Sequence, residues 1–182
     1  MPTGATIRRK SGGLDALTKR LAEVRKLEVA MGFPKEKAQA YPDGTPVVEV
    51  AAAHVFGVGV IERDFMALAK SKIMEQGKEY LKKVVSLSAK DAKAAEAILE
   101  AAGQMGVNEI RSAIVDGSWQ PNSIYPMSKE LREKVSASWG IDIPPGMSYA
   151  AAKLKYRDSD HPLIDTGLLI QATTYVVRER AV

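Results

Sequence analysis

Apolar residues recur at helical spacing through most of this chain. Leu14, Leu17, Leu21 and Val24 stand three and four apart behind Ser11-Gly12-Gly13, so one stripe of a first helix faces a core. Phe65, Leu68, Ala69, Ile73, Tyr80, Leu81 and Val84 hold a second stripe to about residue 84, with Asp64 placed to cap it. Ser88 and Asp91, three residues apart, have the spacing of a capping box and predict the start of a long helix. That helix runs through Ala95, Ile98, Leu99, Ala102, Met105, Ile110 and Ile114 and is closed by Gly117. Gly103 and Gly106 inside it each cost about 1 kcal/mol relative to Ala, which points to a close helix crossing or a bend. Shorter helices are expected from Ser128 to Gly140 and from Ser148 to about Tyr156, each serine serving as a cap.

Two stretches follow a period of two instead. Leu27, Val29, Met31 and Phe33 alternate along 27–33 and are stopped by Pro34. Near the end, Leu168, Ile170, Ala172, Thr174 and Val176 alternate with Gln171, Thr173 and Tyr175, which predicts a strand over 168–178. Tyr41-Pro42-Asp43-Gly44-Thr45-Pro46 is a turn signal. Between 46 and 56 the signals conflict, because valines favour a strand and Ala51-Ala52-Ala53-His54 a helix. A helix is the reading adopted, with Pro46 in its first turn and Gly57 as its stop. Residues 118–147 are rich in Pro and Trp and form an excursion of the kind that serves as an interaction surface. Trp119 and Trp139 there suit either an interface or a plug at the edge of the core. The expected class is α+β: a small antiparallel sheet of strands 27–33 and 168–178 packed on several helices. The expected organisation is a flexible basic arm over 1–10 and one domain over 11–182.

Composition narrows the chemistry. The chain has 182 residues, no Cys and two His, so disulfides, thiolate catalysis and Cys-based metal sites are excluded, and neither a zinc site nor any cofactor is expected. No apolar run reaches the roughly 20 residues that span a bilayer, and the first ten residues lack the apolar core of a signal peptide. The net charge is +4. Residues 1–28 carry seven basic residues against three acidic ones, a surplus equal to that of the whole chain. Arg8, Arg9 and Lys10 can meet phosphates or an acidic surface; the duller reading is a solvated face with a frayed start. No recognition-helix or aromatic stacking pattern accompanies the charge. Phe56-Gly57-Val58-Gly59 lacks the strand, Lys and Ser/Thr of a phosphate-cradling loop and reads as a plain loop.

The stretch His161-Pro-Leu-Ile-Asp-Thr-Gly-Leu-Leu169 concentrates the remaining signals. Pro162 fixes its own φ, Gly167 admits a conformation closed to other residues, and Asp165 and Thr166 can pin a tight bend. Asp-Thr-Gly after an apolar pair is also the catalytic tripeptide of aspartic peptidases, which need two carboxylates sharing one proton. In the small dimeric enzymes that tripeptide sits early, with a flap and further strands behind it. Only residues 168–182 follow it here, so the peptidase is a remote reading. A nucleic-acid-binding or other interaction module stands between it and the leading one.

Three blocks carry that leading reading. They are Tyr41-Pro-Asp-Gly-Thr-Pro-Val47 leading to Phe56-Gly57; Arg63-Asp64-Phe65 at a helix start; and Lys153 through Pro162-Leu-Ile-Asp-Thr-Gly-Leu168 with a strand behind it. In content and order they resemble the neck and tail-completion proteins of long-tailed bacteriophages, the virion-morphogenesis group of minor tail proteins. Two positions depart from the pattern: Val55 stands where the family has an acidic residue, and Asp64 where it has Pro. The resemblance implies a non-enzymatic virion protein of the head–tail junction, made in the host cytoplasm and assembled as a hexameric or dodecameric ring. Its implied partners are copies of itself, other head–tail junction and tail-tube proteins, and packaged DNA through the basic arm, with no membrane. Within that frame Arg63, Phe65, Trp119, Trp139, Asp165, Thr166 and Gly167 are the expected interface or structural residues. Asp165 and Thr166 either pin the last bend or touch a neighbouring subunit, and Arg63 is expected to pair with a carboxylate such as Asp165.

Overall fold

A computed structural model of the chain describes residues 12–88, 91–164 and 167–180. In chain order its elements are α1 (Gly12–Val24), β1 (Leu27–Gly32), a 3-10 turn (Lys35–Lys37), α2 (Val47–Phe56), α3 (Phe65–Ser88), α4 (Ala92–Asp116), α5 (Lys129–Trp139), α6 (Tyr149–Arg157), α7 (Leu168–Ala172) and β2 (Thr174–Glu179). The class is α+β, as the periodicities predict.

The two longest stripes pair with each other. α3 and α4 lie antiparallel, with Lys72 and Gln76 meeting Glu109 toward one end and Val84 packed with Ala95 and Leu99 toward the other. Phe65, Ala69, Ile110 and Ile114 are buried where the hairpin meets Val47 and Ala51 of α2 and Leu169 and Ala172 of α7. Burying the larger of these side chains, Val47, Phe65, Ile110, Ile114 and Leu169, contributes about 1.5–3 kcal/mol each, so this cluster is a main source of stability. The signal conflict over 46–56 resolves as a helix: Pro46 is extended at the N-cap, and Gly57 closes the end in the left-handed region at φ 66°.

The hairpin's loop differs from expectation by three residues. Asp91, not Ser88, is the N-cap of α4, its carboxylate accepting from the Lys93 N–H at 2.9 Å. Ser88 is the last residue of α3, and its buried hydroxyl donates back to the carbonyls of Val84 and Val85. Both residues are good caps, and spacing alone does not decide between them.

β1 and β2 pair antiparallel, with Leu27 opposite Glu179 and Met31 opposite Tyr175, and lie across α4. The two helix glycines admit the sheet rather than another helix. A Cβ on Gly103 would overlap the Tyr175 ring, and one on Gly106 would overlap the Met31 side chain. The expected strand over 168–178 is corrected: 168–172 is helical and the strand starts at Thr174. Leu169 and Ala172, three apart, are both buried there. Arg111 braces the turn by donating to the carbonyls of Ile170 at 3.1 Å and Thr173 at 2.9 Å, the first of which also accepts the Thr173 N–H at 3.2 Å. The strand expected over 27–33 ends one residue earlier, at Gly32, whose φ of 115° frees Phe33 to pack edge-on against Phe65.

The excursion is ordered around its own small core of Val135, Ile143 and Ala152. Met127 donates its N–H to the Met147 carbonyl and Ala150 to that of Ser123, joining the arriving and departing strands of chain. The serine caps expected for the two helices are present, Ser128 accepting from Leu131 and Ser148 from Ala151.

Candidate functional site

Two adjoining hollows, of about 450 and 620 Å³, open where the excursion faces α2 and the 161–169 stretch, sharing walls at His54, Leu131, Tyr149 and Pro162. The second is walled in part by Arg63. This residue precedes α3, where Asp64 caps the helix by accepting from the Ala67 N–H at 2.8 Å. The backbone N–H of Arg63 donates to the His54 carbonyl at 2.7 Å, which fixes the loop leaving α2.

The Arg63 side chain is 3% exposed and its guanidinium works as a fork. Nε donates to the Gln120 carbonyl at 3.0 Å, and Nη2 to the Pro121 carbonyl at 3.3 Å and Asn122 Oδ1 at 3.2 Å. Nη1 reaches His54 Nδ1 at 3.4 Å. Arginine has no acceptor, so that nitrogen of His54 must be the unprotonated one. Burial, then the charge of Arg63, push the His54 imidazole down to about 4, so it is neutral at physiological pH. Burial also lowers Arg63, but from a value so high that it stays a cation. Among the described residues no carboxylate pairs with it. Asp165, the expected partner, lies outside the described residues, and the observed partners are neutral oxygens of the excursion. Arg63 therefore fastens the excursion to the main core.

A second buried cation lies close by. Lys153 of α6 is 1% exposed, and its ammonium donates to the His161 carbonyl. The His161 ring spans between elements: Nε2 meets the Val115 carbonyl at 2.8 Å, and Nδ1 accepts from the Leu163 N–H at 3.4 Å. That pair of bonds requires the tautomer protonated at Nε2. The 161–164 stretch is thus tied to α6 on one side and to the end of α4 on the other.

The remaining expected residues are distributed as follows. Phe65 is fully buried under the hairpin. Trp119 packs against the main core, and its indole N–H donates to the carbonyls of Ala113 and Ile114 at 3.1 and 3.2 Å, closing the end of α4. Trp139 lines the first hollow, tilted against Tyr149 at 5.6 Å with Arg157 over its ring. Gly167, at φ 74°, starts α7 and lines the same hollow. Thr166, Arg8, Arg9 and Lys10 lie, like Asp165, outside the described residues.

Sequence reasoning passed over Asn122 and Tyr149 as members of this site and named Lys153 only as the start of the third block. Asn122 is buried, lines the second hollow and accepts from Arg63 through Oδ1, while its buried Nδ2 has no hydrogen-bond partner among the described residues. A lone Asn in a proline-rich segment carries no local signal of such a role. Among the described residues no group of three His, Asp or Glu is placed to hold a metal ion, and no helix is long and apolar enough to cross a membrane. Large apolar side chains are exposed in the two segments that supply Gly57, Val60, Asn122 and Ser123 to the second hollow. Phe56 is 73% exposed beside a loop whose Val58 and Val60 are also exposed, and Ile124 and Tyr125, the latter 76% exposed, follow directly on Asn122 and Ser123. No family model, curated protein or solved structure matches the chain.

Proposed function

We propose that this chain is a structural subunit of a bacteriophage head–tail junction, a neck or tail-completion protein that acts by assembling into a ring with copies of itself. One observation carries the reading beyond the sequence resemblance. The three blocks that carry it, far apart in the chain, line two adjoining hollows: Tyr41, Asp43 and Thr45 from the first and Leu163, Gly167 and Leu168 from the third line one, Arg63 from the second lines the other, and Pro162 lines both. Residues that are ordinary one by one thus form a single joint between core and excursion.

Such a joint presents surfaces rather than a reaction. A ring subunit offers different patches to its two neighbours, a heterologous contact that closes when the rotation fits. The exposed group of Phe56, Val58, Ile124 and Tyr125 is one such patch, since large apolar side chains clustered at a surface mark interaction sites. The basic residues Arg8, Arg9 and Lys10 would touch packaged DNA without sequence preference. Replacing Phe56 and Tyr125 by Asp tests this. Both are exposed, so circular dichroism and the melting temperature should be retained while the native mass falls to that of a monomer. Retained assembly in the double variant would remove this patch from the interface.

A further inference from the structure

The two edges of the β1–β2 pair are treated differently. Lys26 and Arg180 form a hydrogen-bonded pair, Arg180 donating to the Lys26 carbonyl, and the register then fixes the alternation along both strands. The backbone groups of Leu27, Val29 and Met31 must point away from β2, and those of Tyr175 and Val177 away from β1. On the β2 side the edge is guarded. Lys37 donates to the Tyr175 carbonyl at 3.0 Å, and Arg178 is clasped by Glu28 and Glu36. This is how a protein blunts an edge against unwanted pairing.

The β1 edge has no such guard. Among the described residues nothing bonds the outward N–H and C=O groups of Leu27, Val29 and Met31. Beside this edge runs an apolar groove of about 450 Å³, with Met74, Leu81 and Met105 among its walls. Met74 and Leu81 are 59% and 62% exposed, both on α3, which occupies the layer beneath the open position. An open ladder above an apolar trough is the geometry of strand addition, in which main-chain bonds give affinity and alternate side chains fill the trough.

The arrangement also limits what fits. A second β1 would bring its own α4 beneath it, into space that α3 fills. The guest must therefore be an extended segment with no helix of its own underneath. Of the stretches of this chain outside the described residues, only 1–11 is long enough to lie along β1. Extended, it spans roughly 36 Å at about 3.3 Å per residue, enough to leave one subunit and cross another. Over residues 3–8 its sequence alternates suitably, with Thr3, Ala5 and Ile7 on one side and Gly4, Thr6 and Arg8 on the other; Arg9, the next residue on the first side, lies beyond this segment. We infer that the β1 edge and its groove accept residues 3–8 of a second copy as an added strand, with Ala5 and Ile7 in the groove and Arg8 facing out. Donor and acceptor are different surfaces, so the contact is heterologous and suits ring closure. It stands whether or not the assembly is a phage neck.

The chain has no cysteine, which makes the test direct. Ile7→Cys and Met74→Cys proteins are purified separately, mixed, and treated with a short bismaleimide. A covalent dimer containing one of each is expected. It should be absent when Leu154→Cys, exposed on α6, replaces Met74→Cys, and lost when Val29→Pro is added to the acceptor to remove an outward donor. Failure of the mixture to cross-link would overturn the inference. So would cross-linking confined to single chains carrying both cysteines, because the chain's own arm would then fill the groove. Rings that form without the cross-link leave the assembly reading intact and remove this contact. A cross-linked oligomer that never joins phage heads or tails leaves the contact and removes the virion reading.

Discussion

Arg63 shows how one side chain can tie a protrusion to a core. Its donors satisfy two backbone carbonyls and one side-chain oxygen from 120–122, contacts a single ammonium cannot reproduce. Arg63→Ala would leave the buried Asn122 side-chain oxygen without its donor and release the carbonyls of Gln120 and Pro121, and should cost about 1–3 kcal/mol in urea unfolding; Arg63→Lys should recover little of it. His54 adds a pH dependence. Its folded value, about 4, lies below the 6.5 of an unfolded histidine. The unfolded chain therefore takes up the proton first, and stability is lost as pH falls from about 6.5 toward 4. The loss is at most about 3 kcal/mol, less as far as solvent reaches the ring. Denaturation midpoints should decline over this window in the native chain and stay flatter in His54→Gln. Equal slopes would remove His54 as the cause. Neither behaviour was legible in the sequence: the stretch that holds Arg63 lies 57 residues on, and nothing local to either segment signals the other.

At the scale of elements, legibility followed length. α3 and α4, with apolar stripes over six turns or more, were readable as helices, and their ends were set by caps within a few residues. The C-terminal 168–172 was not, because Leu168, Ile170 and Ala172 alternate as in a strand while Leu169 and Ala172 make the i,i+3 pair of a helix, and five residues are too few to decide between them. The turn is braced by Arg111, a residue of another helix, through the carbonyls of Ile170 and Thr173. Gly103 and Gly106 were legible as a close approach, but not as an approach of Tyr175 and Met31, a cross-strand pair. Gly103→Ala would drive a methyl into a ring whose hydroxyl is held by Glu100 at 2.7 Å. It should cost about 1–3 kcal/mol despite the better helix propensity of Ala. Gly106→Ala should cost less, since the Met31 side chain can turn aside. A melting-temperature order of native, Gly106→Ala, Gly103→Ala checks the pair.

At the scale of the whole molecule, the chain joins a helical hairpin with a two-stranded sheet to a smaller lobe beside two adjoining hollows. It carries two surfaces with no described covering, the Phe56–Tyr125 patch and the β1 edge. A two-stranded sheet is marginal by itself and draws its stability here from α4, so an added strand has a firm platform. The most direct measurement is the native mass of the full chain by light scattering, alone and with phage heads or tails. A closed oligomer, or a shift to one when the particles are present, is the result expected of a ring subunit. A strict monomer that ignores the particles and binds DNA in a salt-dependent way would contradict it.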